Sequence, residues 1–245
     1  MSVSLSSSLI VFFLIFAGIG VAQNTLTVAA AADLSSLESD LASSFGKTAP
    51  DVRVRFVTES SAALAQQIEN GAPYDVFMSA NAQFVDKLAL NGKLLTGSVR
   101  PYVVGRLGLL WKDRGTHDLN YLANTAIHVV ALPNPKLAPY GVAAQQAIER
   151  AGIWPQVQPK VVYGENVRQT LQMFETGNAD AVLTSASLLV GKSHVPIPSH
   201  WHKPILQKAG IVATTGNREA AEGFLRFLSS PAGQAVFTRY GFGAP

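Results

Sequence analysis

Short apolar runs alternate with amphipathic helical segments along most of this chain, and that alternation limits the architectures open to it. LTVAAA (26–31) reads as a strand. Leu34, Leu37, Leu41 and Phe45 recur at helical spacing, which predicts a helix over 34–46. VRVRFVT (52–58) alternates and predicts a second strand. LAQQIENG (64–71) is a helix closed by glycine, YDVFMSA (74–80) a third strand and FVDKLALNGK (84–93) a further helix. This β-α-β-α-β-α order places the chain in the α/β class, with mostly parallel sheets covered by helices on both faces.

The pattern then restarts. VVGRLGLLWK (103–112), AIHVVALP (126–133), KVVYG (160–164) and DAVLTSA (180–186) read as strands, and GVAAQQAIERAGI (141–153) and VRQTLQMFETG (167–177) as helices. The end of IPSHWHKPILQKAGIVAT (197–214) reads as a strand. The tail, AAEGFLRFLSSPAGQAVFTRYGF (220–242), holds one or two helices. Two α/β units and a returning tail imply two lobes, with crossings near 97–104 and 203–210. The expected division is 23–100 plus 207–245 for one lobe and 101–206 for the other.

Residues 1–22 stand apart from that pattern. An apolar run from Leu9 to Val21 ends with Gly20 and Ala22 at positions that suit a cleavage site. The segment reads as a secretory signal peptide, although it carries no Lys or Arg. The run is short for a membrane span of about 20 residues. The chain has no Cys, which excludes disulfides, thiolate metal sites and a lipid-anchored mature N-terminus. Its 19 basic and 16 acidic side chains leave a net charge of +3. No basic run is interleaved with aromatics, so a nucleic-acid partner is not expected.

In open parallel sheets, ligands bind beyond the C-terminal ends of strands, where helices begin. Four turns fit that description: Ala31-Ala32-Asp33; the TESS turn, with Ser60 and Ser61; Pro139-Tyr140-Gly141; and Glu165-Asn166-Val167. Ser, Asp and Asn at such places are ordinary helix caps. Several uncapped helix starts facing one point would also hold an anion through backbone N–H groups, without lysine. The alanines of AAAADLSSL therefore have two readings, close packing of helix on sheet or access to the backbone. Asp33 and Glu59 fit an anion site only if they turn away, as a cap or on a rim, or are protonated. If both face inward, a cation or amine is the better ligand.

No motif for catalysis is present: no GxSxG, HExxH or GxxxxGK[ST]. His200 and His202 alternate on an extended segment and point to opposite faces, which argues against joint metal ligation. An enzyme is not expected.

Five segments bring a resemblance: LTVAAAADL, ESSAALAQQIENGAPYDVFMSAN, PKLAPYGVAAQQAIERAGIW, GENVRQTLQMFETGNADAV and FLRFLSSPAGQAVFTRYGF. Together they resemble the periplasmic molybdate-binding proteins of ABC importers over about 24–243. The resemblance implies a class II periplasmic binding fold, two α/β lobes around a ligand cleft. It implies molybdate or tungstate as ligand, no cofactor, a monomer in the periplasm, and delivery to an ABC permease in the inner membrane. The family's serine falls on Ser61, with Ser60 beside it. A backbone or phenol contact falls on Tyr140, and a backbone donor on Val167. Two positions depart from the pattern. The first turn, where a hydroxyl or amide side chain is usual, has Ala32 or Asp33 at that position, depending on alignment. On the strand after NAD, where many members carry tyrosine, Leu183 or Thr184 falls near that site. Tyr140 could supply the missing phenol from the opposite turn. These departures leave an alternative, the same fold binding a different small oxyanion or other small ligand.

Overall fold

The structure is a computed structural model that describes residues 24–112 and 117–245. The expected signal peptide lies outside the described residues. The first unit runs β1 (Asn24–Ala31), α1 (Glu38–Gly46), β2 (Val52–Glu59), α2 (Ser61–Glu69), β3 (Val76–Ser79), α3 (Ala82–Leu90) and β4 (Arg100–Gly105). The second runs β5 (Leu107–Trp111), β6 (Val130–Pro133), α4 (Pro139–Arg150), α5 (Trp154–Val157), β7 (Val161–Gly164), α6 (Val167–Glu175), β8 (Ala181–Ser185) and β9 (Val195–Pro196). The tail supplies β10 (Ile205–Ile211), α7 (Arg218–Leu228) and α8 (Pro231–Arg239).

Two five-stranded sheets result, ordered β2-β1-β3-β10-β4 and β7-β6-β8-β5-β9. Each is mixed in the same way, with two parallel and two antiparallel pairings where mostly parallel sheets were expected. β1 is parallel to β2 and β3, while β10 is antiparallel to β3 and β4. β6 is parallel to β7 and β8, while β5 is antiparallel to β8 and β9. The parallel pairs come from the β-α-β units, as crossover connections require. The antiparallel pairs come from the strands that enter and leave each unit.

The central strands β3, β6 and β8 are buried on both faces, which explains their largely apolar sequences, while the edge strand β2 alternates and stays partly exposed. In β1, Leu26, Val28 and Ala30 pack with Leu37, Leu41 and Phe224 on one face, while Ala29 packs with Leu64, Ile68 and Phe77 on the other. The second sheet divides likewise: Leu109, Leu132 and Leu183 meet Ala144 and Ile148 of α4, and Leu110, Ala131 and Val182 meet Leu171 of α6.

Three local expectations shift. The helix predicted over 34–46 is a 3-10 turn, Ala32–Leu34, followed by α1 from Glu38. The single run 103–112 is two strands in different sheets, parted at Arg106. A continuous apolar stretch carries no signal for such a crossing. β6 starts at Val130 rather than 126, because the Asp180 carboxylate takes the His128 and Val129 N–H groups at 2.9 and 3.0 Å.

Candidate functional site

The four turns meet where the two units face each other. Ala32, Asp33, Ser60, Ser61, Tyr140 and Val167 all line one small pocket, together with Ala80, Pro139 and Asn166. The cavity measures about 10 Å3. Pockets for organic ligands of drug size run to several hundred Å3, on the order of 300–1,000.

The wall is made of element starts. Ser60 caps α2 by accepting from the Ala63 N–H at 3.2 Å, which leaves Ser61 as the first helical residue. The Ser61 hydroxyl accepts from the Ala80 N–H at 3.1 Å, so its own proton remains to donate. α4 begins with Pro139 and has no side-chain cap, so the Tyr140 amide stands in an open first turn. Asn166 caps α6 through the Gln169 N–H at 2.9 Å, and Val167 follows as its first residue. The Thr184 hydroxyl donates to the Val167 carbonyl at 2.9 Å and pins that turn to β8. The 3-10 turn at Ala32 also lacks a side-chain cap. Amides without intrahelical partners therefore gather here from both units, with helix dipoles that favour an anion.

Glycine lets α4 reach this position. A Cβ on Gly141 would lie 2.1 Å from the Pro133 carbonyl oxygen, so only a residue without one lets α4 start so close to β6. A Cβ on Gly105 would lie 2.2 Å from the Tyr140 phenol oxygen, so the bend between the sheets leaves room for that ring.

Asp33 is the exception in a neutral shell. It is 1 % exposed, and it does not cap its own turn. Its Oδ2 accepts from the Tyr140 phenol at 2.8 Å and from Gln207 Nε2. The Tyr102 phenol donates to Gln207 Oε1 at 2.5 Å. Ser187 Oγ donates to the Asp33 carbonyl at 2.6 Å. Burial pushes the Asp33 carboxyl up from 3.8 to about 6, against the weaker pulls of Gln207, Tyr140 and, least, its own backbone N–H. Burial, with Asp33 nearby, holds both phenols well above their usual value. The phenol of Tyr140 is thus committed to Asp33 in place of the contact suggested for a missing strand tyrosine.

Glu59 stands at the rim, half-buried. Its Oε2 accepts from the Ser60 N–H at 3.1 Å and from Asn166 Nδ2 at 3.4 Å, linking the two units. Histidine plays no part here: His200 is exposed, and the His202 ring contacts the Lys203 carbonyl. Among the described residues no cluster of His, Asp or Glu could hold a metal ion.

Sequence reasoning missed Gln207, Tyr102 and Ser187. One signal was available for Gln207. It alternates with Ile205, Ala209 and Ile211 in β10 and so falls on a buried face, where a lone polar side chain needs a partner.

The chain matches the family model described as bacterial extracellular solute-binding protein over residues 26–243. It is 34% identical over 180 residues to the molybdate-binding protein ModA of Rhodobacter capsulatus, covering 72% of this chain and 71% of that one. It is 32% identical over 231 residues to ModA of Azotobacter vinelandii, covering 88% of each. Among solved structures, the periplasmic molybdate-binding protein of Azotobacter vinelandii superposes with a TM-score of 0.85 at 30% identity, over 90% of this chain and 99% of that one.

Proposed function

The chain belongs to the bacterial extracellular solute-binding protein family, and from that premise we propose that it captures molybdate or tungstate between its two lobes. The observation that carries this reading is the meeting of uncapped element starts from both units at one small pocket lined by Ser61. Such a shell matches a small oxyanion, whose charge is met by fixed N–H and O–H dipoles. The relatives that bind molybdate support the choice of oxyanion. Sulfate is smaller and leaves the same donors too far from its oxygens.

We take Ala32, Asp33, Ser60, Ser61, Tyr140 and Val167 as the binding residues. Taking the lobes by their sheets, we place the boundaries between Gly105 and Leu107 and before Ile205. Residues 1–22 direct export to the periplasm. The closed protein acts as a monomer, performs no chemistry on its ligand and delivers it to an ABC permease in the inner membrane.

Thermal unfolding of ligand-stripped protein tests this. Molybdate and tungstate each raise Tm, since a ligand at a hundred times its Kd adds about 2.7 kcal/mol. Sulfate and phosphate leave it unchanged. No shift with molybdate or tungstate overturns the reading.

A further inference from the structure

One carboxyl lines a pocket otherwise built to receive negative charge. The two oxygens of Asp33 differ. Oδ2 is saturated by the Tyr140 phenol and the Gln207 amide. Oδ1 is buried and has no hydrogen-bond partner, although Asp33 lines the pocket. A buried acceptor left unpaired loses the hydrogen bonds it would make in water and is destabilising. An ionised Oδ1 beside an oxyanion would add like-charge repulsion. A proton on Oδ1 removes both penalties, because the carboxyl then becomes a donor aligned with the others.

No charged side chain is bonded to Asp33, and Arg106, between β4 and β5, is exposed and lies against Gly243. The groups bonded to Asp33 are neutral: Tyr140 on α4, Gln207 on β10 and Ser187 in the turn after β8. Charged side chains on the packed elements are engaged or distant. Glu59, at the end of β2, accepts from Ser60 and Asn166, and Arg55 donates to Thr27. Arg53 lies near the start of that strand. On α6, Arg168 acts on Glu38, and Glu175 pairs with Lys192. Lys208 of β10 pairs with Asp86, while Glu149 and Arg150 sit at the far end of α4.

Resting on the oxyanion reading above, we propose that Asp33 binds the ligand in its protonated form, its carboxyl O–H donating to one ligand oxygen, so that each dianion enters with one proton from solvent. The proton makes Asp33 a specificity residue: the same position repels a dianion when ionised and holds it when neutral. Burial has already moved this carboxyl toward the neutral form before any ligand arrives.

Calorimetric titration of sodium molybdate into the protein, in two buffers of different ionisation enthalpy at pH 7.5, counts the protons. The expected result is uptake of about one proton per molybdate, with Kd weakening about tenfold per pH unit in the alkaline range. In Asp33→Asn the amide oxygen keeps the bonds from Tyr140 and Gln207, and the NH2 takes the place of Oδ1. That variant binds molybdate without proton uptake and with a Kd flat in pH. Wild-type binding with no proton exchange overturns the proposal. So does a folded Asp33→Asn protein that takes up the same proton or fails to bind. If folded wild type binds no molybdate at any pH, the oxyanion reading itself falls, and this inference with it.

Discussion

Asp33 also sets how stability responds to pH. Its carboxyl titrates at about 6 when folded, against 3.8 as a free side chain. Between those values the folded chain holds a proton that the unfolded chain has lost, so this residue adds stability as pH falls from about 6 to 3.8. Above pH 6 the penalty of a buried charge is fully present, and the difference corresponds to about 3 kcal/mol. Asp33→Asn is therefore expected to raise the stability of ligand-free protein at pH 7 by up to about that amount. Urea unfolding at pH 7 and pH 4 checks this, since the advantage shrinks at the lower pH. Ser61 carries a simpler prediction. Ser61→Ala removes one donor to a charged ligand, worth about 1.5–3 kcal/mol, and should weaken molybdate binding by about tenfold or more in calorimetry. Ser61, Tyr140 and Val167 were legible as site candidates because turns after strands are few and open with small or polar residues. The partners of Asp33 were not. Gln207 lies 174 residues away in the chain, and no local rule pairs a carboxylate with an amide at that separation.

At the scale of elements, the site depends on how closely helix starts approach strand ends. α4 is the tightest case, since Gly141 packs directly on the Pro133 carbonyl. Gly141→Ala should destabilise the protein by about 1–3 kcal/mol and lower molybdate affinity, because α4 must back away from β6. Chemical denaturation and binding on the same preparation measure both effects. Most helices and strands could be read from periodicity, because each helix buries one stripe and each strand is flanked by turn residues. The exceptions have physical causes. The 3-10 turn at Ala32–Leu34 shares the apolar spacing of α1, so the two merge in sequence. The β4–β5 run stays apolar across the change of sheet, because both strands are mostly buried.

Across the whole molecule, the two units touch beside the pocket. Ser36 donates to the Ser187 carbonyl at 2.9 Å, Ser187 donates to Asp33, and Asn166 reaches Glu59. Tyr140 and Gln207 meet at Asp33 beside the strands that carry the chain between units. These contacts hold the two units together beside the pocket, so bound ligand should favour this shape over an open one. Small-angle scattering should show a smaller radius of gyration with molybdate than without; equal radii would argue against closure. The two-unit plan was legible from the repeated strand–helix order. The mixed sheets were less so, because periodicity marks a strand without giving its direction. The most direct test of the central claim is calorimetric titration of ligand-stripped protein with molybdate and with sulfate. One molybdate bound per chain, with no heat from sulfate, is the predicted result. No heat from molybdate, or equal binding of sulfate, would contradict the account.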